Sequence, residues 1–127
     1  MIVIDTSALM AILAKELNAE ACAAVLEAED DILISAGTLA EALVVAGRRN
    51  LASEMTNLVA GLGATVMPLT HESARRVGGA YGRWGKGVHP AALNLGDCFA
   101  YVLAEAQGCG LLYVGEDFAR TDLKSVL

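Results

Sequence analysis

The strongest constraint on the fold is an alternation. Four short runs, Ile2–Ile4, Ile32–Ile34, Thr65–Met67 and Leu111–Val114, are separated by helical stretches. The first, second and fourth are apolar throughout, whereas a strand with one wet face would alternate apolar and polar residues, so these read as strands covered on both sides. Parallel neighbours need long crossovers, and the intervals here carry them: helices are expected over Ala8–Ala14, Ala19–Ala28, Thr38–Arg49, Leu51–Leu62, His71–Tyr81 and Asn94–Gln107. The helix from His71 has a weak point at Gly78-Gly79, and residues Gly82–Pro90 read as a loop. The result is an α/β chain with a mostly parallel central sheet. With 127 residues and no repeat, linker or low-complexity segment, residues 1–127 are expected to form one domain.

Composition excludes several classes. Hydrophobic residues make up 55% and charged residues 19%, far from the make-up of a disordered chain. No apolar run approaches the roughly 18 residues of a membrane span, and MIVIDTSALM lacks the basic flank of a secretion signal, so a cytoplasmic protein is expected. Cys22, Cys98 and Cys109 form neither a CxxC pair nor a Cys/His cluster, which reads as reduced core thiols. No phosphate-binding GxxxxGK[ST] or GxGxxG follows the first strand. The net charge of −6 opposes non-specific adhesion to nucleic acid. Yet Ser73 to Gly96 contains no Asp or Glu and holds Arg75, Arg76, Arg83 and Lys86, a cationic stripe on an acidic chain.

In a parallel sheet, chemistry collects at the carboxyl ends of the strands. Asp5 directly follows the first strand, and Asp117 follows the last after Gly115-Glu116. Glu41 and Asp97 are expected in the first turns of their helices, where the dipole favours a carboxylate. Each has a plain structural reading: Thr38-x-x-Glu41 fits a capping box, Asn94-x-x-Asp97 a looser one, and Asp5 and Asp117 can cap a helix or turn. Capping alone does not explain acids after the first and last strands together with two more at helix starts. Four converging carboxylates repel, and a hard divalent cation with oxygen ligands, Mg²⁺ or Mn²⁺ rather than Zn²⁺, relieves that repulsion. Such a cleft suits phosphodiester hydrolysis, with Thr6 and Ser7 as hydrogen-bond donors beside the first acid.

These blocks, Met1-Ile-Val-Ile-Asp5-Thr-Ser-Ala-Leu9, Glu41 in a helix, Leu95-Gly-Asp97-Cys-Phe-Ala-Tyr101 and Gly115-Glu-Asp117-Phe-Ala-Arg-Thr-Asp122-Leu, resemble the PIN-domain ribonucleases, and particularly the VapC toxins of bacterial toxin–antitoxin pairs. Gly85 to Tyr101, GKGxHxAxLNxGDCFAY, looks like one VapC subgroup. The resemblance implies an α/β/α sandwich, Mg²⁺- or Mn²⁺-dependent cleavage of RNA (tRNA or ribosomal RNA among the family's targets) and inhibition by a VapB-type antitoxin. It also implies a homodimer, with a heterotetramer or larger complex once the antitoxin binds. The family's acidic quartet falls on Asp5, Glu41, Asp97 and Asp117, serving both as metal ligands and as the catalytic set, and its hydroxyl falls on Thr6. Glu116 competes with Asp117 for the fourth place; Asp117 is preferred because it precedes Phe118.

Arg83 and Lys86 are the candidate phosphate contacts and Tyr81 or Trp84 the candidate base-stacking groups, the plain alternative being a solvated helix face with Trp84 covering the core or a dimer contact. Arg120 is placed to pair with Asp117 or Asp122, while His89 and His71 read as structural. Two other functions compete. An aspartyl-phosphate enzyme on Asp5 usually carries DxD, and Ser7 stands at the second position here. A non-catalytic RNA-binding regulatory module of the same fold would have no reason to keep mutually repelling acids.

Overall fold

In the computed structural model, which describes residues 1–127, β1 (Ile2–Ile4), β2 (Ile32–Ser35), β3 (Thr65–Met67) and β4 (Gly110–Leu112) form one sheet in the order β3-β2-β1-β4, every neighbouring pair parallel. The connections are α1 (Thr6–Leu13) and α2 (Ala19–Ala28), α3 (Ala36–Arg48) and α4 (Ala52–Gly61), then α5 (His71–Trp84) and α6 (Leu95–Gln107). Successive strand residues point to opposite faces, which is why the runs carry no polar alternation. Val3, Leu33 and Leu111 pack with Val77, Trp84, Cys98 and Val102 from α5 and α6. Ile2, Ile4, Ile32, Ile34 and Leu112 pack with Leu9, Cys22, Leu26, Ala42 and Met55 from α1 to α4. The fold is therefore an α/β/α sandwich. No helix is long and apolar enough to cross a membrane, and all three cysteines are free, Cys22 and Cys98 buried.

The structure corrects several boundaries. α5 runs unbroken through Gly78-Gly79 to Trp84, so the loop expected from Gly82 starts only at Gly85. Val77, Ala80 and Trp84 form its buried stripe, and burying that stripe outweighs the roughly 1 kcal/mol each glycine costs. A reciprocal box between Thr70 and Ser73 fixes the start of the helix. β4 ends at Leu112 rather than Val114, because the Val114 N–H donates to the Ser7 hydroxyl (3.0 Å) instead of to a strand. α1 begins at Thr6, two residues before the expected start. On α6, Phe99 and Leu103 are only half-buried and Ala106 is exposed.

Trp84 is buried rather than free to stack on a base. Its Nε1 donates to the Tyr101 hydroxyl (2.9 Å), which donates in turn to Asp122 Oδ1 (2.7 Å), tying α5, α6 and the C-terminal segment together. Tyr101→Phe leaves the indole N–H buried without a partner and is expected to lower unfolding free energy by about 1–3 kcal/mol. Chemical denaturation checks this, and an unchanged midpoint contradicts it.

Candidate active site

β1 continues to β2 on one side, while β4 lies on its other side, so the sheet has its switch point at the end of β1. Asp5 occupies that point. It N-caps α1, with Oδ2 accepting from the Ser7 N–H (3.0 Å) and the Ser7 hydroxyl (2.6 Å). Because the same hydroxyl accepts from Val114, Ser7 locks the first acid to the exit of β4. Asp5 is buried, and its other oxygen, Oδ1, has no hydrogen-bond partner. An ionisable oxygen left orphaned in the interior is costly unless something else completes its shell.

Asp97 is the third residue of α6. Its N–H donates to Asn94 Oδ1 (2.8 Å), and its Oδ2 accepts from the Asn94 N–H (3.0 Å), so the looser box read from the sequence is fully formed, and the residue is buried.

Glu41 departs from expectation. α3 starts at Ala36, capped by Ser35, whose hydroxyl accepts from the Gly37 N–H (3.2 Å). β2 passes straight into this helix, so Thr38 is already inside it and Glu41 lies in the second turn. The Thr38–Glu41 capping box does not form, and the dipole does not account for Glu41. Instead, Thr6 Oγ1 donates to Glu41 Oε1 (2.6 Å), and the carboxylate lies against Gly96, where any Cβ would overlap it. Sequence reasoning assigned Gly96 no role, although a glycine in the first turn of a helix, one residue before a candidate acid, is a signal of close approach.

Asp117 is exposed and precedes a short 3-10 turn, Phe118–Arg120, without capping it. Burial, first of all, pushes Asp97 up to about 7, and the nearby charges of Asp5, Asp117 and Glu41 push the same way against the Asn94 N–H. Burial likewise pushes Asp5 up to about 6, with Glu41 adding to it and the Ser7 bonds opposing. The other three acids thus all lie within electrostatic reach of Asp97. Glu116 is exposed beside them.

Both raised groups lie above their unfolded values, so their contribution to stability is complete below about pH 4 and is lost as pH rises through 6 to 7. Metal-free protein is expected to lose roughly 10 °C of Tm between pH 5 and pH 8. Calorimetry in EDTA checks the sign, and a Tm that rises over that range contradicts it.

No group of three or more Asp, Glu, His or Cys side chains is gathered tightly enough to hold an ion unaided. The donors present nevertheless suit Mg²⁺ or Mn²⁺. They are all oxygens, Asp5 Oδ1 is without a partner, and Mg²⁺ characteristically takes one or two carboxylates and keeps its waters.

The other candidates make their contacts with groups outside the acidic set. Arg83 stands over the Trp84 ring (4.4 Å to the centroid) and faces Asp122 at 3.9 Å. Lys86 is exposed, with its backbone N–H donating to Leu93 (2.9 Å). Arg120 donates to the Pro90 carbonyl (3.3 Å) rather than pairing with Asp117 or Asp122, and His89 Nδ1 accepts from the Ala91 N–H (3.0 Å), which suits its structural reading.

Residues 2–124 match the PIN domain. The chain is 39% identical over 127 residues to VapC ribonuclease Mb0640 of Mycobacterium bovis and to ribonuclease VapC30 of Mycobacterium tuberculosis, across 98% of this chain and 97% of each relative. It belongs to the VapC ribonucleases of the PIN-domain family. Ribonuclease VapC36 of Mycobacterium tuberculosis is also 39% identical, over 96% of this chain and 91% of its own. Among solved structures, Mycobacterium tuberculosis VapC20, described as a toxin that cleaves the sarcin–ricin loop, superposes with a TM-score of 0.78 at 15% identity, covering 98% of this chain and 97% of its own. A toxin–antitoxin complex from Klebsiella pneumoniae gives 0.73 at 19%, covering 100% and 97%. At these identities the two structures speak for the VapC fold alone.

Proposed function

We propose that this VapC-type chain, acting as one domain over residues 1–127, is a Mg²⁺- or Mn²⁺-dependent endoribonuclease and the toxin of a toxin–antitoxin pair. Asp5, Glu41, Asp97 and Asp117 hold the metal and form the catalytic set. The observation that carries this reading is the buried Asp5 at the switch point, with one oxygen unpartnered and its charge opposed by Glu41 and Asp97. Bound there, the ion supplies charge neutralisation, a water of lowered pKa and stabilisation of the leaving oxygen.

The chain's own residues hold that site in shape. Ser7 fixes the orientation of Asp5, Asn94 fixes Asp97, and Thr6 with Gly96 fixes Glu41. Burial raises both carboxyls, Asp5 to about 6 and Asp97 to about 7, so protons compete with a cation for them below neutral pH, Asp97 most strongly. Full-length identity to named VapC ribonucleases supports RNA, with tRNA or ribosomal RNA as candidates, as the substrate. The same kinship supports a VapB-type antitoxin as inhibitor, a homodimer that becomes a heterotetramer or larger with it, and work in the cytoplasm.

The test is total RNA incubated with purified, partner-free protein in Mg²⁺, Mn²⁺ or EDTA. Discrete fragments with either metal and none with EDTA are expected. No fragments from folded protein under any metal contradict the nuclease.

A further inference from the structure

A second feature lies at the same edge of the sheet, on the β3 side. A cavity of about 240 Å³ with a mixed lining opens between the end of β3, α5 and α6, its apolar wall made by Met67, Leu69, Val77, Phe99 and Leu103, with Ser35, Thr70 and Ser73 among its polar groups. Ser35 and Met67 are register partners at the ends of β2 and β3, so the cavity sits level with the strand ends that carry the acids. Phe99 comes two residues after Asp97, and its ring lies against Gly37, where an added Cβ would strike it. The ring is thus fixed in place yet half-exposed.

The cavity is continuous with an open depression lined by His71, Glu72, Arg75 and Arg76, the two sharing Glu72 and Arg76. Arg76 pairs with Glu72 at 3.1 Å, and Arg75 has no ion-pair partner. The complete site therefore joins a cavity holding an aromatic ring to a depression whose uncompensated charge is Arg75, Arg76 being offset by Glu72, on a chain whose net charge is −6. A nucleotide has the complementary form: a planar, weakly charged base joined to an anionic phosphate. An apolar helix or side chain of a protein partner matches only the first half. Single-stranded RNA is read in this way, with an unstacked base against an aromatic ring while cations hold the backbone.

We propose that this cavity receives one unstacked base of the RNA substrate, with that nucleotide's phosphate over Arg75, and that it sets base preference at one position of the substrate. The proposal rests on the nuclease reading for its substrate, and its test is separable from that reading.

Ala106 is exposed at the rim, so Ala106→Phe fills the cavity without touching the acids. The direct probe is titration with adenosine, guanosine, cytidine and uridine 5′-monophosphates, followed by the methyl NMR signals of Leu69, Val77 and Leu103. At least one nucleotide is expected to shift these signals in wild type, and Ala106→Phe is expected to abolish the shift. On RNA, the variant is expected to raise KM for the preferred sequence about tenfold, flatten the base preference at one position and leave kcat within about threefold. Arg75→Gln is expected to raise KM for all sequences alike and to reduce the salt dependence. Methyl signals that ignore all four nucleotides, or that respond only to a protein partner, overturn the proposal even if RNA is cut. Absence of cutting with the nucleotide shifts intact overturns the nuclease reading and leaves the pocket standing.

Discussion

Asp97→Asn is expected to lower RNA cleavage by about a thousandfold, roughly 4 kcal/mol of activation free energy, while raising the Tm of metal-free protein at pH 8. The two effects have opposite signs because Asp97 stands in two roles. As part of the capping box it needs only an acceptor oxygen toward the Asn94 N–H, and the amide oxygen of Asn supplies one. As a carboxylate it is buried beside Asp5, Asp117 and Glu41, and that environment disfavours its charge. Removing the charge relieves the folded protein of about 2 kcal/mol or more, some 5 °C or more in Tm. A purely structural Asp97 would behave differently, with unchanged Tm and retained cleavage. Cleavage kinetics and calorimetry in EDTA, run on the same preparation, read both effects.

Gly96→Ala is expected to reduce cleavage about a hundredfold while leaving the protein folded. Alanine is the better helix former by roughly 1 kcal/mol, so the helix itself gains from the change. The cost falls on one neighbour: the new methyl occupies the place of the Glu41 carboxylate, which must leave Thr6 and swing away. A far-ultraviolet spectrum and Tm close to wild type, with kcat reduced, is the expected pattern. Wild-type kcat in a well-folded variant contradicts a positioned Glu41.

The strands were legible because each is short and flanked by helix, and three of the four are apolar, the mark of strands covered on both faces, whereas the edge strand Thr65–Met67 is largely exposed. What escaped was decided by contacts between distant residues. The length of α5 depends on Val77, Ala80 and Trp84 meeting the core, which no local glycine penalty reveals. The start of α3 depends on β2 feeding directly into it with Ser35 as cap, so the better-looking Thr38 signature lost to a serine three residues earlier. The same contrast runs through the site. Asp5 and Asp97 have local anchors, Ser7 and Asn94, that lie within three residues and can be read from sequence. Glu41 is held by Thr6, 35 residues away, and by the bare backbone of Gly96, so its real support was invisible. Arg83 was grouped with the phosphate contacts by its place in an acid-free window. That window says nothing of Asp122, which folds back to face it.

The most direct test of the central claim, that these carboxylates share a divalent cation, is calorimetric titration of Mn²⁺ into wild type and Asp5→Asn at pH 7, repeated in two buffers of different ionisation enthalpy. The account predicts saturable binding to wild type with release of protons, chiefly from Asp97, and at least tenfold weaker binding to the variant. Equal binding to both proteins, or none to a folded wild type, would contradict it.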